Sequence, residues 1–153
     1  ILISKGNSDS QSLSAKETLA QTWDEVNSLK LNARFFQTKT SGIENARYWS
    51  SGLRFDRSLS HRFGFYLGQM VESDKYSGFN QRYNSDIGAK YWLIKEDKFQ
   101  WDAELGYRYT IENQLSGLQN KYSSIRTYTE ANKIWSEGVS TKLWFEYLPN
   151  LTL

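Results

Sequence analysis

The stretch Phe99–Glu112, FQWDAELGYRYTIE, has the clearest periodicity in the chain. Its odd-numbered positions are all apolar or aromatic, and its even-numbered positions are polar, charged or glycine. Successive side chains of a β-strand point to opposite faces, so this alternation gives a strand one apolar face and one polar face. The same residues folded as a helix would spread the charges over every side. The stretch therefore predicts a long strand that separates an apolar surface from a polar one.

The alternation recurs along the chain and predicts an all-β protein. Its apolar half is found in four further segments: Leu29, Leu31, Ala33 and Phe35; Trp49, Leu53 and Phe55; Tyr83, Ile87, Ala89, Tyr91 and Leu93; and Val139, Leu143, Phe145 and Tyr147. Segments 8–23, 62–73 and 122–135 are less regular, and each is compatible with a β-bulge or with a contact to a neighbouring protein. We predict about eight full strands, joined as antiparallel hairpins into an up-and-down barrel.

The composition excludes several classes of protein. Aromatic residues make up 16% of the chain although its mean hydropathy is −0.68, which is unusual for a soluble core. The longest apolar runs, such as Tyr91–Ile94, are far shorter than a membrane-spanning helix requires. The absence of cysteine excludes disulfides, and the net charge of +2 gives no reason to expect a nucleic-acid partner.

The connections between strands are expected to alternate in length. Short turns are predicted at 24–25, 58–61, 95–98 and 136–138, and longer loops at 39–44, 74–80 and 113–120. Outer-membrane barrels place short turns in the periplasm and long loops outside the cell. Aromatic residues also stand near the short turns, as expected of an interfacial girdle: Trp23, Phe63, Trp92, Trp101 and Trp135.

Two orientations of the strands remain open. In a transmembrane barrel the rings face lipid and the charges face an aqueous interior, whereas in a soluble lipocalin-like barrel that binds an apolar ligand the two faces are exchanged. Many of the segments run for ten or more residues, which is enough to cross a bilayer at a tilt of about 45°. Strand length thus favours the transmembrane barrel.

Further strands are expected at both ends of the segment. If the turn at 24–25 is periplasmic, the strand that enters it runs downward, and a preceding strand is needed to begin the barrel in the periplasm. Ile1–Lys5 is predicted to be the end of that strand, with a tight turn at 6–9. Past Tyr147 the chain meets Pro149 without a terminal aromatic residue. We therefore expect a single domain over 1–153 that is incomplete at both ends, with strands missing after Leu153.

Several short motifs carry a resemblance to a known family. Ser4–Leu13 has a Gly-Asn-Ser-Asp turn before a Ser-Leu strand, and further motifs follow in order at 46–49, 62–66, 76–78, 105–108 and 147–151. In these motifs the chain resembles the salt-induced outer membrane proteins of Gram-negative bacteria over nearly its whole length. The resemblance implies a barrel of about twelve strands, of which the last three are absent here, and it supplies no catalytic residues.

The candidate site residues fall into two sets. We predict that one set of charged residues faces the interior: Lys16, Lys30, Arg34, Arg54, Asp56, Asp86, Lys90, Asp102, Glu104, Arg108, Glu112, Arg126, Glu130, Lys142 and Glu146. The other set is predicted to face lipid or to form the girdle: Trp23, Leu29, Leu31, Phe35, Trp49, Phe55, Phe63, Phe65, Trp101, Leu105, Tyr107, Tyr109, Leu143 and Phe145. The near balance of positive and negative charges favours pairing over a strongly ion-selective pore.

The sequence gives little reason to expect catalysis. His61 is the only histidine and falls in a short polar turn, and no carboxylate cluster with further ligands suggests a metal site. We predict no metal and no cofactor, and we retain an outer-membrane enzyme only as a remote alternative. The expected role is that of a bacterial outer-membrane barrel, either a structural anchor or a narrow passive solute pathway. Its expected partners are outer-membrane lipid, lipopolysaccharide and another envelope protein.

Overall fold

A computed structural model describes residues 10–151, which form a β-structure with one short 3-10 turn, Lys75–Ser77. The strands are β1 (Ser10–Trp23), β2 (Asn27–Thr40), β3 (Ile43–Ser58), β4 (Phe63–Asp74), β5 (Phe79–Lys95), β6 (Phe99–Gln114), β7 (Gln119–Ser136) and β8 (Val139–Tyr147). The predicted strand at Ile1–Lys5 and its turn at 6–9 lie outside the described residues. Within residues 10–151, no helix is long and apolar enough to cross a membrane.

All eight strands belong to one sheet in which each strand pairs antiparallel with its neighbours in the sequence. The sheet is curled into a half-barrel, so that it has a concave face and a convex face. This arrangement confirms the prediction of an all-β, antiparallel, up-and-down fold with about eight strands. After β8 the chain continues beside β7 through a bridge between Ser124 and Asn150.

The predicted alternation of short turns and long loops is wrong. The seven connections span 24–26, 41–42, 59–62, 75–78, 96–98, 115–118 and 137–138, so none exceeds four residues. The segment 39–44 reduces to a two-residue turn in which Ser41 and Gly42 both have positive φ, as a tight hairpin requires. The strands extend further because polar side chains pair across them, as when Asn45 donates to Thr40 at 2.9 Å.

Irregularities in the sheet fall only partly where they were expected, since those at Glu72/Asp74 and Ile134/Ser136 lie in the less regular segments 62–73 and 122–135. Bulges or register shifts occur at Thr38/Lys39, Glu72/Asp74, Phe79/Gln81, Trp92/Ile94 and Ile134/Ser136. The polar Gln69, which interrupts the apolar face of β4, needs no bulge. It stands opposite Ser85 and accepts a hydrogen bond from the Ser85 hydroxyl at 2.6 Å. These two polar side chains on the apolar face therefore hydrogen-bond to each other.

The fold has an unusual distribution of buried residues. Among the described residues, Tyr66 and Phe79 are the only buried hydrophobic side chains, whereas the buried polar and charged ones include Glu104, Asp102 and Arg126. An ordinary soluble domain buries apolar residues and leaves charges in water. Here the sheet encloses charge and exposes rings.

Candidate functional site on the concave face

Strand β6 shows the division between the two faces most clearly. Leu105 is 62% exposed and Tyr107 is 43% exposed, whereas Glu104 is only 3% exposed. Their alternation along the strand places the large apolar side chains on one surface and the acidic side chains on the other. The charged surface is thus the less accessible of the two.

A contact between distant strands identifies the charged face as concave. Arg54 on β3 donates to both carboxylate oxygens of Glu104 on β6, from Nη1 at 3.1 Å and from Nη2 at 2.6 Å. Two strands, β4 and β5, lie between them in the sheet. Because neighbouring strands are about 4.8 Å apart, the two side chains meet only where the sheet curls toward them.

Glu104 is the centre of an ion-pair network. Its second arginine is Arg126 on β7, whose Nη1 lies 2.5 Å from Oε2. Each arginine also has a carboxylate of its own, since Arg54 pairs with Asp56 at 2.6 Å and Arg126 with Glu146 at 2.6 Å. Buried charges are tolerated when they are paired and hydrogen-bonded, and every member of this group meets that condition.

Tyr66 lies across the middle of this network. Register places Tyr66, Gly88, Gly106 and Arg126 in one row across β4 to β7. A Cβ added at Gly88 would lie 2.6 Å from the Tyr66 Cζ, so the ring occupies the space that a side chain there would need. The Tyr66 hydroxyl accepts from Arg126 Nη1 at 3.1 Å, and Arg54 stacks 4.1 Å from the ring centroid. The two glycines thus allow a tyrosine to span the concave face.

Further ion pairs extend the network along β5 and β6. Arg108 donates to Asp86 from Nε at 2.6 Å and from Nη2 at 2.9 Å, which is a two-point contact between opposed residues. Lys90 lies 3.2 Å from Asp102 and 3.9 Å from Glu104. These pairs join the rows on either side of Tyr66 into one continuous charged surface.

A second cluster surrounds Arg82 near the end of the sheet that carries the 75–78 turn. Arg82 donates to Glu112 at 2.6 Å and to Glu72 at 3.3 Å. Glu72 also accepts from the amide of Asn84 at 3.2 Å and from the Tyr48 hydroxyl at 3.1 Å. On the concave face, polar contacts therefore continue as far as the third row of residues beyond the row of Tyr66.

The β7–β8 edge carries a third group. Lys142 pairs with Glu130 at 2.8 Å, and Glu130 also accepts from Tyr128 at 2.5 Å. The Tyr128 ring stacks on Trp144 at 6.4 Å between centroids. Trp144 is 63% exposed, so this edge presents an aromatic surface on the same face as the charges.

The structure divides the fifteen residues that were predicted to face the interior into two groups. Twelve of them take part in the ion pairs described above: Arg54, Asp56, Asp86, Lys90, Asp102, Glu104, Arg108, Glu112, Arg126, Glu130, Lys142 and Glu146. We name the surface that they form on β3 to β8 the paired region.

The remaining three residues, Lys16, Lys30 and Arg34, lie on β1 and β2, and we name them the cationic strip. Lys16 stands directly opposite Arg34, and Lys30 opposite Arg54, which places all three on the concave face. They are exposed and make no ion pair within residues 10–151.

The fourteen residues that were predicted to face lipid are all exposed or half-buried. The exposed members are Trp23, Leu31, Phe63, Trp101, Leu105, Tyr107, Tyr109, Leu143 and Phe145. The half-buried members are Leu29, Phe35, Trp49, Phe55 and Phe65. Phe55 lies 6.1 Å from both Trp23 and Phe65, so part of this set forms an aromatic cluster on the convex face.

Trp92 does not belong to the aromatic girdle. It is opposite Asp102 in the register and packs over Gly64, where a Cβ would lie 3.3 Å from its ring. Lys90 and Lys95 lie 5.1 Å and 4.7 Å from the ring centroid. The ring lies on the concave face, as the other even-numbered side chains of β5 do. Its nearness to a turn therefore did not indicate a place in the girdle.

Tyr76 connects the 75–78 turn to β3 by a hydrogen bond. Its hydroxyl donates to the Glu44 carbonyl oxygen at 2.7 Å, which joins the 75–78 turn to the start of β3. Desolvation and the neighbouring Glu44 carboxylate raise the pKa of Tyr76. The phenol therefore remains a hydrogen-bond donor at neutral pH.

Sequence reasoning missed several members of the concave face. Arg82 and Glu72 are at even-numbered positions, like the residues predicted to face inward. The alternation alone would therefore have placed them on the concave face. Tyr66 and Tyr48 were hidden because aromatic residues were expected outside. The pairing of Tyr66 with two glycines becomes visible only once the strand register is known.

The described residues show no arrangement that suggests a metal site. No group of three or more His, Asp or Glu side chains within 10–151 is placed to hold a metal ion. His61 is exposed in the 59–62 turn, where its carbonyl oxygen accepts from Lys95 at 3.4 Å. It takes no part in the ion pairs of the paired region.

Comparison with known proteins gives one finding. No curated protein and no solved structure matches the chain. A family model described as "Protein of unknown function, DUF481" matches residues 1–152. Because this match covers nearly the whole of the chain, the protein belongs to the DUF481 family of unknown function.

Proposed function

We propose that the chain forms part of the wall of a transmembrane β-barrel in a bacterial outer membrane, with lipid on its convex face. The observation that carries the proposal is the inverted placement of charge and rings. Leu105, Leu143 and Phe145 are each more than 60% exposed on one face, and Glu104 and Arg126 are buried on the other. Large contiguous apolar surface is unfavourable in water and favourable in hydrocarbon.

Strand length and backbone pairing support the same proposal. Apart from β8, whose range is Val139–Tyr147, every strand has at least 12 residues, and a tilted strand needs about 9–11 to cross the hydrocarbon core. A sheet can enter lipid only when its backbone groups are hydrogen-bonded, which hairpin pairing achieves between neighbouring strands. Closure of the barrel by further strands would hydrogen-bond the backbone groups of the two edge strands, β1 and β8.

The concave face suits an aqueous interior that is narrow on one side. In the paired region, side chains from β3 to β8 contact one another and reduce the free space. The β1–β2 side presents exposed cations and hydroxyl groups. We therefore propose a narrow passive pathway for solutes, with outer-membrane lipid and lipopolysaccharide as the surroundings of the barrel.

The membrane orientation can be tested with two leucines of similar exposure. Leu105 is 62% exposed at the middle of β6, and Leu118 is 65% exposed in the 115–118 turn. For the full-length protein folded in lipid vesicles, we expect Leu105→Arg to lower the free energy of unfolding by about 2–4 kcal/mol, and Leu118→Arg by less than about 1 kcal/mol. Urea unfolding followed by heat-modifiable gel migration measures both.

A soluble barrel would behave differently in the same experiment. In water, both substitutions replace an exposed leucine and should leave stability nearly unchanged. Equal stability of the two variants, together with folding in the absence of detergent or lipid, would overturn the proposal and favour a soluble protein whose convex face lies in water. Single-channel conductance in a planar bilayer then separates a pathway from a closed structural barrel.

A further inference from the structure

The concave faces of β1 and β2 have a composition unlike the rest of the sheet. Their even-numbered positions from Ser10 to Thr22 and from Ser28 to Phe36 contain hydroxyl residues, one asparagine, one alanine, one phenylalanine, the three cations of the cationic strip and no carboxylate. The one acidic residue of β1, Glu17, has the opposite parity and lies on the convex face. This part of the interior therefore carries only positive charge.

The carboxylates nearest in the register are already engaged. Lys16, Arg34, Ser50 and Glu72 form one row across β1 to β4, and Glu72 is held by Arg82, Asn84 and Tyr48 as described above. Lys16 and Arg34 face each other directly, which is unfavourable for two like charges. An anion between them would remove this repulsion.

An open cavity adjoins the two cations. Its volume is about 400 Å³, and its concave-face lining is Ser14, Lys16, Arg34, Phe36 and Tyr48. Phe36 is 38% exposed, although it lies on the polar face. The Tyr48 ring is fixed beside it by the hydrogen bond from Tyr48 to Glu72. The cavity thus combines two cations with two aromatic rings.

We propose that this cavity binds a dissolved organic anion, namely a carboxylate or phosphate attached to an apolar or aromatic group. The anionic group contacts Lys16 and Arg34, and the apolar group packs on Phe36 and Tyr48. The inference rests on the proposed function, because it names the class of solute that enters the aqueous interior. The alternative occupant is a carboxylate of the same barrel from a segment outside residues 10–151.

Equilibrium dialysis of the full-length protein in detergent, with phenyl phosphate and inorganic phosphate as probes, tests the proposal. We expect phenyl phosphate to bind more tightly than phosphate, and the double variant Lys16→Gln/Arg34→Gln to bind it about tenfold more weakly. Lys98→Gln/Lys95→Gln removes the same charge at the 96–98 turn and its flank and should bind as the parent does. Phe36→Ser should weaken phenyl phosphate binding but leave phosphate binding unchanged.

Each other outcome counts against the inference. Absence of phenyl phosphate binding would mean that the cationic strip holds no solute anion, and equal binding by the parent and the double variant would place the bound anion at another site. The failure of this inference is distinct from failure of the proposed function, because heat-modifiable migration and the Leu105→Arg result do not depend on any anion. A protein that passes those tests and binds no phenyl phosphate is a membrane barrel without this site.

Discussion

The paired region and the cationic strip lie on the same concave face and obey the same alternation, yet they differ in nearly every physical property. Glu104 is 3% exposed and touches two arginines, whereas Lys16 and Arg34 are exposed and oppose each other. The difference shows that alternation fixes which face a charge occupies. The strand register decides whether that charge meets a partner.

The paired region also has a steric element that the cationic strip lacks. Tyr66 reaches Arg126 because Gly88 and Gly106 leave the surface of β5 and β6 flat. On β3, Gly52 leaves a similar gap, and the nearest side chain, that of Met70, stays at an ordinary contact distance of 3.5 Å. The cationic side therefore remains open while the other side is filled.

The largest expected effect comes from removing the centre of the paired region. Glu104→Gln leaves Arg54 and Arg126 without their shared carboxylate, although Asp56 and Glu146 remain. We expect the free energy of unfolding to fall by about 3 kcal/mol, at the lower end of the cost of breaking a buried ion pair. Urea unfolding of the full-length protein in vesicles measures this loss.

Arg34→Gln is the matched control in the cationic strip. It also removes one charge from the concave face, but it breaks no ion pair within the described residues and relieves the repulsion by Lys16. We expect a change of less than about 0.5 kcal/mol. If the two variants lost equal stability, the distinction between the regions would be wrong.

A smaller effect is expected where Tyr66 packs over glycine. In Gly88→Ala the new methyl group would lie 2.6 Å from the Tyr66 ring and 2.7 Å from the Leu105 carbonyl oxygen. Such overpacking costs about 1–3 kcal/mol. Gly52→Ala places its methyl at an ordinary contact distance of 3.5 Å and should be neutral or slightly stabilising. Thermal unfolding of both variants checks the difference, and equal midpoints would exclude a close Tyr66–Gly88 contact.

The sequence predicted which face of a strand each residue occupies, but it did not predict where the strands end. The alternation in Phe99–Glu112 predicted β6 well, because one face is apolar over the whole stretch. At 39–44 the prediction of a longer loop failed, because only Ser41 and Gly42 form the turn. Thr40 instead ends β2 and accepts a hydrogen bond from Asn45 on β3. Where both faces of a strand are polar, alternation gives no signal.

The ion-pair partners within the paired region could not be predicted from the sequence, for a different reason. Arg54 and Glu104 are separated by fifty positions and by two strands, so their contact depends on how strongly the sheet curls. Tyr66 was hidden by the expectation that aromatic rings face outward. Its position became meaningful only through the row that joins it to Gly88, Gly106 and Arg126.

The smallest expected effect converts part of the cationic strip into a paired surface. Lys16→Glu places a carboxylate directly opposite Arg34, where opposite charges on neighbouring strands stabilise by about 0.2–1 kcal/mol. Lys16→Gln, which removes the repulsion without adding a partner, should fall between this variant and the parent. Because the new pair is exposed, its contribution should shrink in concentrated salt, whereas the loss caused by Glu104→Gln should persist. Urea unfolding at low and high salt separates these cases, and a gain that is insensitive to salt would mean that the β1–β2 side is as enclosed as the paired region.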